Sequence, residues 1–558
     1  MRLAELIDGV PDPYREAPVE QVVADSRDAR PRALFVARAG ATTDGHTFIA
    51  EAVRAGCTAV VGSQRLPAEL AALLCDRRVP YLLVDEPAAA LGQLAARING
   101  HPSAALTVVG VTGTNGKSTV ATLLYQLFTA LGHRSGLVAT TGIRVGTASF
   151  PTSHTTPDAV ELQRMLAAMA ASGCRYCFME VTSHAIDQRR IAGVDFDGGI
   201  FTMLGHDHLD YHGSIDAYAR VKQRFLTGLP ATAFALANAD DERGRFMVAS
   251  TPARVAFYGS HPEALLPWSL ARRDERGMDV RVGPHTIRTP LVGRHNASNL
   301  AAAVTAAALL GEDLERIVAA VPGLRGARGR MQRVTSGPVL GIVDYAHTPE
   351  AVRLALATAR RLRPRGRLIA VAGCGGDRDT QKRPAIGAAL ASADTAVFTT
   401  DNPRSEDPRA IVAAMLGGVP AARRARVRVE LDRRRAIELA VRAATPGDSV
   451  LLLGKGHETA QQVGETMHPW DDARELRAAL SPPRPEELVA QTASKDPEVG
   501  LRGVASLQAL LDAVEERQVR RARELGWSWR QIAVLLGVSK QAVYQKYGKG
   551  GRRGRRLR

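Results

Sequence analysis

The sequence has few cysteines and no long apolar run, and each shortage excludes a class of protein. Five cysteines in 558 residues do not make a disulfide framework, and their odd number suits reduced thiols. The N-terminus is charged where a signal peptide needs an apolar core. There is also no run of about 18 apolar residues, the length that spans a bilayer. We therefore expect a cytoplasmic protein with no membrane insertion.

One C-x-x-C pair, Cys174 and Cys177, raises the alternative of a zinc site. Such a site needs further ligands, and no second pair follows at zinc spacing. The apolar residues around the pair favour a strand, so we interpret both thiols as core residues.

The length and the 45% hydrophobic content are sufficient for three or four domains with separate cores. Short apolar strands alternate with helical stretches, a pattern that predicts α/β domains with parallel sheets and functional loops at the strand carboxyl ends. The domain boundaries we predict are 1–100, 101–332 and 333–480. The predicted strands are Ala33–Val36, Ala59–Val61, Tyr81–Val84, Arg175–Glu180, Gly199–Thr202, Val339–Val343, Arg367–Ala372, Thr395–Thr399 and Ser449–Leu453.

The C-terminal region differs in composition from the rest. Residues 481–503 are rich in Pro, Ser and charge, which indicates a linker. An amphipathic helix is predicted over 507–514, with Ser506 as its N-cap. Residues 481–558 hold 16 Lys and Arg against eight Asp and Glu, and they end in an arginine-rich tail. This charge favours contact with a polyanion, and a solvated tail is the alternative.

The stretch "VGVTGTNGKSTV" at 109–120 runs from a strand into a helix that begins near Lys117. Gly113 and Gly116 leave backbone N–H groups free to converge on phosphate oxygens, while Lys117 and Ser118 suit the outer phosphates and Mg²⁺. Val111 occupies the place of the first glycine in the usual pattern. A glycine turn would explain the glycines but not Lys117 and Ser118. The loop therefore predicts nucleotide triphosphate binding, without distinguishing kinase, hydrolase and ligase.

Acidic, histidine and lysine residues follow this loop. Glu180 ends a strand, where an acid can meet a loop-bound Mg²⁺. His206, His208 and His212 lie close in sequence, but neither a cysteine cluster nor a helical H-x-x-x-H supports zinc. Lys222 follows on a helical stretch, and taken alone it would be interpreted as an exposed lysine.

Together these residues resemble the Mur ligase family, the ATP-dependent amide ligases that build the peptide stem of bacterial peptidoglycan. The resemblance covers about residues 20–475 and is strongest to the members that add the third amino acid. It implies an N-terminal α/β domain for a UDP-linked substrate, a central P-loop ATPase domain and a Rossmann-like C-terminal domain. The motifs occur in the family's order: "GTNGKST", "EVTSH", "DHLDYHG", "LVGRHNASN", "DYAHTPEA", "GCGGDRD", "KRP", "DNPR" and "GKGHE".

The resemblance implies that the free carboxylate of UDP-N-acetylmuramoyl-L-alanyl-D-glutamate takes the γ-phosphate of ATP. An amine then attacks the acyl phosphate, which gives an amide, ADP and phosphate. Lys117 and Mg²⁺ would neutralise charge on the transferring phosphoryl group. Ser118 and Glu180 would hold one Mg²⁺. Lys222 would be carbamylated by CO₂ and share a second Mg²⁺ with His208.

Three sets of binding residues are also implied by the resemblance. Thr182 replaces the family's commoner serine but keeps the hydroxyl, and Gly40-Ala-Thr42 departs from a "GHQ"-type stretch, which affects the uridine contacts. The ATP set is Gly113, Thr114, Asn115, Gly116, Lys117, Ser118, Thr119, Asn296, Arg330 and Asp344. The UDP-substrate set is Ser26, Thr155, Thr156, Thr182, Gln188 and Arg190. The amino-acid set is Arg378, Asp401, Asn402, Pro403, Arg404, Gly454 and Glu458.

The arginine of "DNPR" bears on which amino acid is added. The Arg404 guanidinium is suited to bind a carboxylate through two hydrogen bonds, and meso-diaminopimelate carries a carboxylate at its far end where L-lysine has none. In the alternative, Asp401 and Arg404 pair with each other to cap a turn. We expect meso-diaminopimelate, with L-lysine as the alternative substrate.

The last segment, residues 504–558, lies outside the resemblance and predicts a helix-turn-helix. Ser528 and Ser539 can cap two helices on either side of a turn at Gly537. This pattern favours DNA binding, and packing against the ligase or a protein partner is the alternative. The second helix would present side chains suited to phosphates and base edges, namely Lys540, Gln541 and Tyr544.

Three functions remain in competition. The first is a ligase with an accessory nucleic-acid module, and the second is a DNA-binding regulator with a ligase-derived sensor body. The third is a folylpolyglutamate-synthetase-like enzyme, which would not account for "DNPR" and "GKGHE". Intact Lys117, Glu180, His208 and Lys222 argue against loss of catalysis, so we expect the ligase.

Overall fold

The computed structural model describes residues 1–40, 43–152, 154–481, 485–494 and 496–548. The chain divides into two compact units, Met1–Ala478 and Ala479–Arg558. Three successive α/β domains make up the first unit, and the second unit is helical. In the described part of the chain, no helix has the length and apolar character needed to cross a membrane.

The N-terminal domain is a four-stranded parallel sheet in the order β1-β2-β3-β4. Leu34 and Val36 of the second strand face one core, and Ala33 and Phe35 face another, so both sides of the sheet are buried. The elements are α1 (Leu3–Leu6), β1 (Gln21–Val23), β2 (Ala33–Val36), α2 (Ile49–Arg54), β3 (Ala59–Gly62), α3 (Ala68–Asp76), β4 (Tyr81–Leu83) and α4 (Pro87–Ile98).

The central domain contains an eight-stranded sheet in the order β12-β11-β10-β5-β9-β6-β7-β8. Its elements begin with β5 (Thr107–Thr112), α5 (Lys117–Ala130), β6 (Ser135–Ala139), β7 (Gly142–Val145), β8 (Ala148–Phe150), α6 (Ala159–Ala171), β9 (Tyr176–Glu180), α7 (Ser183–Asp187) and β10 (Gly198–Phe201). They continue with α8 (Leu209–His212), α9 (Ile215–Thr227), β11 (Phe234–Asn238), α10 (Gly244–Val248), β12 (Arg254–Tyr258), β13 (Trp268–Asp274), β14 (Gly277–Val282), β15 (His285–Thr289), α11 (Arg294–Leu309) and α12 (Leu314–Ala320).

Helices cover both faces of this sheet, with α5 and α11 on one side and α6 and α9 on the other. Its central strands are therefore continuously apolar, as in other buried parallel sheets. Cys177 lies within β9 and Cys174 just before it, and both are buried free thiols, which confirms their interpretation as core residues.

Antiparallel pairing at two places in the central domain was not predicted. β7 and β8 add to the main sheet as antiparallel strands, and β13, β14 and β15 form a separate antiparallel sheet. Both additions use short strands in which charged and apolar residues are interspersed, such as Trp268–Asp274. Such stretches lack the continuous apolar character on which the prediction of parallel strands relied.

The third domain is a six-stranded sheet in the order β16-β17-β21-β18-β19-β20, parallel except at β16. The predicted strands match within a residue or two, which confirms the α/β class. The elements are β16 (Gln332–Ser336), β17 (Leu340–Asp344), α13 (Pro349–Leu362), β18 (Leu368–Ala372), α14 (Lys382–Leu390), β19 (Thr395–Phe398), α15 (Pro408–Gly417), β20 (Val427–Val429), α16 (Arg433–Ala443), β21 (Ser449–Leu453), β22 (Ala460–Val463), β23 (Thr466–Pro469) and α17 (Asp472–Leu480).

The second unit contains α18 (Pro485–Thr492), α19 (Pro497–Glu524), α20 (Trp529–Leu536) and α21 (Lys540–Tyr547). The segment predicted as a linker is thus largely helical. Ser506 lies inside α19, so its prediction as an N-cap is wrong, because the helix begins at Pro497, a residue suited to a first helical turn. Ser528 and Ser539 cap α20 and α21 as predicted.

Candidate functional site

The phosphate loop joins the centre of the eight-stranded sheet to the N-terminus of α5. Gly113 and Gly116 have φ values of +143° and +91°, which favour glycine. A Cβ on Gly113 would also lie 1.9 Å from Thr202 Oγ1, and one on Gly116 would lie 2.7 Å from Asn299 Oδ1. Only glycine fits this close approach, so the loop backbone is pressed between two neighbouring polar side chains.

Two lysines, the buried Lys222 and the half-buried Lys117, meet at this loop. The Nζ atoms of Lys117 and Lys222 each donate a hydrogen bond of 2.9 Å to the carbonyl oxygen of Gly113, and Lys117 Nζ also donates to Thr114 O at 2.8 Å. Burial lowers the pKa of both amines, and the nearby Lys117 charge lowers the pKa of Lys222 further. Lys222 is buried, so the alternative of an exposed helical lysine is not observed.

The carboxylate of Glu180 lies at the same edge of the sheet. Glu180 is the last residue of β9, pairs in register with Val111 of β5 and is buried. Its Oε1 accepts hydrogen bonds from Thr140 N at 2.7 Å and Thr140 Oγ1 at 3.0 Å. Ser118 lies at the start of α5 and lines the same cavity. A hydroxyl and a carboxylate are hard oxygen donors of the kind that Mg²⁺ prefers.

The histidines form an aromatic cluster. His208 packs against His184 with ring centroids 4.8 Å apart, and its φ of +54° is a costly conformation that clusters at functional sites. Burial lowers the pKa of His208, so its ring favours the neutral form. His212 Nε2 lies 3.0 Å from Ser183 Oγ. Across the described residues, no three His, Cys, Asp or Glu side chains are arranged to hold a metal ion.

A cavity of about 460 Å³ extends from the phosphate loop to the third domain. It brings together the predicted ATP residues Asn296, Arg330 and Asp344, which come from separate motifs. Asp344 accepts hydrogen bonds from the backbone N–H groups of Met331 and Ala346 at 2.7 and 2.8 Å, while the Arg330 guanidinium lies 4.7 Å from the Tyr345 ring centroid. The whole predicted ATP set lines this cavity except Gly113, whose carbonyl holds the two lysines at its edge.

Five of the six predicted UDP-substrate residues come together. Arg190 donates to Gln188 Oε1 at 2.6 Å and to Thr156 O at 3.1 Å, and Thr156 Oγ1 lies 3.4 Å from Thr182 Oγ1. Thr155 joins the group because its hydroxyl accepts a hydrogen bond of 3.1 Å from Thr140.

Ser26 lies apart from this group in the N-terminal domain, where its hydroxyl donates to Glu51 at 3.1 Å. Burial lowers the pKa of Arg190, and the charge of Arg38, from the same domain as Ser26, lowers it further. Of the stretch Gly40-Ala-Thr42, only Gly40 belongs to the described residues.

The predicted amino-acid residues surround the loops after β18, β19 and β21. Arg404 Nη1 donates to Gly376 O at 2.6 Å, and a Cβ on Gly375 would lie 3.1 Å from Arg404 Nη1 and 3.7 Å from Arg378 Cγ. The two guanidinium side chains thus share one glycine loop. Asp401 and Arg404 make no ion pair within the described structure, so the predicted alternative of a capped turn is not observed.

Asp401 and Gly454 meet on the other side of this pocket. Asp401 is buried, which raises the pKa of its carboxyl, and a Cβ on Gly454 would lie 2.4 Å from its Oδ2. Pro403 packs against the same glycine loop as Arg404, since a Cβ on Gly376 would lie 1.9 Å from Pro403 O.

Asn402 and Glu458 form a hydrogen-bonded set with Lys455. Asn402 Nδ2 donates to Glu458 Oε2 at 2.8 Å, and Lys455 Nζ contacts that same oxygen at 2.7 Å and Asn402 Oδ1 at 2.9 Å. Lys455 is fully buried. Sequence reasoning missed its contact with Asn402, because the two residues lie far apart in sequence.

Arg383 and Asn299 are two further residues that sequence reasoning missed. Arg383 makes two hydrogen bonds of 2.8 Å to Glu406 and one of 3.1 Å to Gly375 O, so it supports the glycine loop. Asn299 donates to Asn296 Oδ1 at 3.1 Å and approaches the phosphate loop. Asn299 follows Asn296 by three residues on a helix, and this spacing could have predicted that the two side chains are neighbours.

The three α/β domains each match a known family. Residues 18–99 match the Mur ligase family, catalytic domain; residues 111–307 match the Mur ligase middle domain; and residues 329–456 match the Mur ligase, glutamate ligase domain. Together with the relatives described next, these matches show that the chain belongs to the Mur ligase family. The helical unit Ala479–Arg558 lies beyond all three matches.

Several relatives are UDP-N-acetylmuramoyl-L-alanyl-D-glutamate--2,6-diaminopimelate ligases. The one from Cytophaga hutchinsonii is 41% identical over 464 residues, which cover 83% of this chain and 94% of that protein. The one from Streptomyces coelicolor is 40% identical over 502 residues, covering 86% and 96%. A solved structure of such a ligase has a TM-score of 0.63 at 32% identity, covering 86% of this chain and 98% of that one.

Proposed function

We propose that this chain is an ATP-dependent ligase of peptidoglycan precursor synthesis that adds meso-2,6-diaminopimelate to UDP-N-acetylmuramoyl-L-alanyl-D-glutamate. The main support is a phosphate loop that holds Lys117 and Lys222 beside a cavity reaching the third domain, where other loops bring arginines and acids together. The relatives described above have the same activity in their names. Because the reaction consumes ATP, the proposed location is the cytoplasm.

The reaction has two steps in this proposal. An oxygen of the substrate carboxylate attacks the γ-phosphorus of ATP, the bond to the β-phosphate oxygen breaks, and ADP leaves. The neutral amine of the amino acid then attacks the acyl carbon, phosphate leaves with the bonding electrons, and the amide loses one proton. Lys117 and Arg330 supply positive charge along the phosphates, and the rigid glycine loop orients them.

The donor set fits Mg²⁺ at the phosphate end. Ser118 and Glu180 would hold one ion, and His208 with a carbamate on Lys222 would hold the second. Bound Mg²⁺ supplies charge that neutralises the phosphoryl oxygens. A carbamate forms only on a neutral amine, and the lowered pKa of Lys222 supports this modification.

The pocket beyond the cavity supports an amino acid with charged groups of both signs. Arg404 and Arg378 suit a carboxylate, while Asp401, Asn402 and Glu458 suit an ammonium group. L-lysine would leave the arginines without a carboxylate at its far end. These contacts therefore favour meso-diaminopimelate over L-lysine.

The test is ADP release by the full-length protein. We expect release that requires ATP, the UDP-linked dipeptide and meso-diaminopimelate together. Release with a folate and glutamate instead would support the folylpolyglutamate-synthetase-like alternative. If no combination of substrates gave ADP release, the proposal would be contradicted. The remaining alternative would be a DNA-binding regulator with a ligase-derived sensor body.

We also propose that the helical unit binds double-stranded DNA. The supporting observation is a helix-turn-helix in which α20 ends at Gly537, with a left-handed φ of +66°, and α21 begins after the Ser539 cap. The core between the helices is formed by Val519, Ile532, Ala533 and Val543. Of α21, only Val543 is buried, so the helix presents an exposed face.

The sequence from residue 525 onward carries charged side chains of one sign. Residues 525–558 contain nine Lys and Arg and no Asp or Glu, which favours binding to phosphates. Lys540 and Gln541 are exposed at the start of α21, where recognition helices contact base edges. Lys546 instead pairs with Asp512 at 2.9 Å and fastens α21 to α19.

A gel-shift with the full-length protein and a library of DNA duplexes of about 30 base pairs tests this second function. We expect affinity to fall on the order of 10²-fold between 50 and 200 mM salt for about four phosphate contacts. The double variant Lys540→Ala and Gln541→Ala should lose any sequence preference, while Arg409→Ala in the ligase unit should keep it. Absence of binding at 50 mM salt would contradict DNA binding.

A further inference from the structure

We propose that Lys455 is a positioning residue that fixes Glu458 and Asn402 for the ammonium group of the incoming amino acid. The inference rests on the ligase function proposed above, and it assigns a role to a residue outside the predicted binding set. It makes Lys455 a determinant of amino-acid affinity, although the residue itself does not reach the substrate.

Lys455, Glu458 and Asn402 form a triangle of hydrogen bonds. Lys455 Nζ lies 2.7 Å from Glu458 Oε2 and 2.9 Å from Asn402 Oδ1, and Asn402 Nδ2 closes the triangle with a hydrogen bond of 2.8 Å to Glu458 Oε2. Asn402 Oδ1 also accepts a hydrogen bond of 2.9 Å from Gln462 N. Because its oxygen faces two donors and its nitrogen faces a carboxylate, the Asn402 amide has one favourable orientation.

Lys455 and Glu458 differ in their exposure to solvent. The Lys455 side chain is 0% exposed, whereas that of Glu458 is 27% exposed. Lys455 therefore holds the carboxylate from its inner side. Within the described residues, hydrogen bonds reach Glu458 only at Oε2, so Oε1 keeps its acceptor capacity for a ligand. An ammonium group is the complementary ligand for a free carboxylate oxygen.

The Lys455 charge also acts on Asp401. Burial raises the pKa of the Asp401 carboxyl, the Lys455 charge lowers it, and the Glu458 charge raises it. Lys455 thus opposes the protonation of Asp401 while it pairs with Glu458.

Steady-state kinetics of Lys455→Met with each of the three substrates tests the proposal. Loss of a charged hydrogen bond to two positioned groups should raise KM for meso-diaminopimelate about 30-fold. The KM values for ATP and for the UDP-linked dipeptide should stay within about twofold, because their residues do not contact Lys455. Lys455→Arg, which keeps the charge, should recover part of the affinity.

A pH profile separates positioning from a merely structural role. Without the Lys455 charge, Asp401 holds its proton to higher pH, so the acidic limb of kcat/KM for the amino acid should move to higher pH. The matched control is Arg367→Met, which removes an ion pair of 2.8 Å with Asp448 elsewhere in the same domain. It should leave both the KM for diaminopimelate and this limb unchanged.

Three outcomes would overturn the inference, and a fourth would contradict the function on which it rests. An unchanged KM for diaminopimelate in folded Lys455→Met overturns the inference, and so does an equal rise in all three KM values. If Lys455→Met does not fold, the double-mutant cycle of Lys455→Arg with Glu458→Gln replaces it, and additive effects overturn the inference. Wild-type protein that ligates no diaminopimelate would instead contradict the proposed function itself.

Discussion

The phosphate end and the amino-acid end of the site both hold lysine side chains, but they surround them differently. At the phosphate end, Lys117 and Lys222 donate to one carbonyl oxygen, that of Gly113, and no described carboxylate pairs with either. At the amino-acid end, Lys455 lies 2.7 Å from Glu458. The same residue type is therefore left without a counter-ion in one region and given one in the other.

This difference has a chemical consequence. At the phosphate end, lysines without a paired carboxylate favour anionic ligands, and burial lowers the pKa of Lys222 so that its amine can react. At the amino-acid end, the ion pair of the buried Lys455 with Glu458 holds the side chains in one arrangement. The following predictions test whether the two lysine environments act in these separate ways.

The largest effect is expected at Lys222. We expect Lys222→Ala to lower kcat for ADP release on the order of 10³-fold, because it removes a charged group beside the transferring phosphoryl group. Arg220→Ala removes an exposed charge from the same helix and should keep full activity. Formate or acetate should restore part of the Lys222→Ala activity if the lost group is a carboxylate. Retained activity without any addition would contradict a catalytic role for Lys222.

A smaller effect is expected at Arg404. Loss of a carboxylate-binding guanidinium costs about 1.5–3 kcal/mol, so Arg404→Ala should raise KM for meso-diaminopimelate about 10- to 100-fold. The KM for ATP should change little, because the residue lies outside the nucleotide cavity. Arg409→Ala, an exposed arginine nearby in sequence, is the control. An unchanged KM for diaminopimelate would contradict the assignment of Arg404.

The smallest effect is one of stability. The folded protein lowers the pKa of Lys222, whereas the unfolded chain has the ordinary value of 10.5, so below that pH the unfolded state binds more protons and is favoured. In CO₂-depleted buffer, Lys222→Met should therefore raise the unfolding midpoint at pH 7 by about 2 °C or more. The gain should shrink as the pH approaches 10.5, as calorimetry can measure. A lowered midpoint at pH 7 would show that the Gly113 hydrogen bond outweighs the burial of the charge.

Much of the phosphate end could be predicted from sequence because its signals are local. The strand, the two glycines and the helix beginning at Lys117 follow one another within a dozen residues, and the structure has α5 begin at Lys117. Glu180 was placed correctly at the end of a strand. Glu180 lies near the loop because β9 pairs with β5 in the parallel sheet, and the sequence pattern already predicts such a sheet.

The features that were missed depend on contacts between distant segments. The pairing of Lys455 with Asn402 joins the loops after two different strands, and its strength depends on burial that no local pattern encodes. The antiparallel sheet of β13, β14 and β15 is an exception, because Met278, Val280 and Val282 alternate with polar residues in β14 and this local signal was missed. Ser506 was wrongly predicted as an N-cap because α19 begins at Pro497, before the apolar residues of 507–514 from which the helix was predicted.

The central claim is that this chain joins meso-diaminopimelate to the UDP-linked dipeptide with ATP. Its most direct test supplies wild-type protein with ATP, the UDP-linked dipeptide and equal concentrations of meso-diaminopimelate and L-lysine, and identifies the product by mass spectrometry. A preference of about 10-fold or more for the diaminopimelate-containing tripeptide is predicted from the guanidinium contact. A product that contains mainly lysine, or no tripeptide at all, would contradict the account.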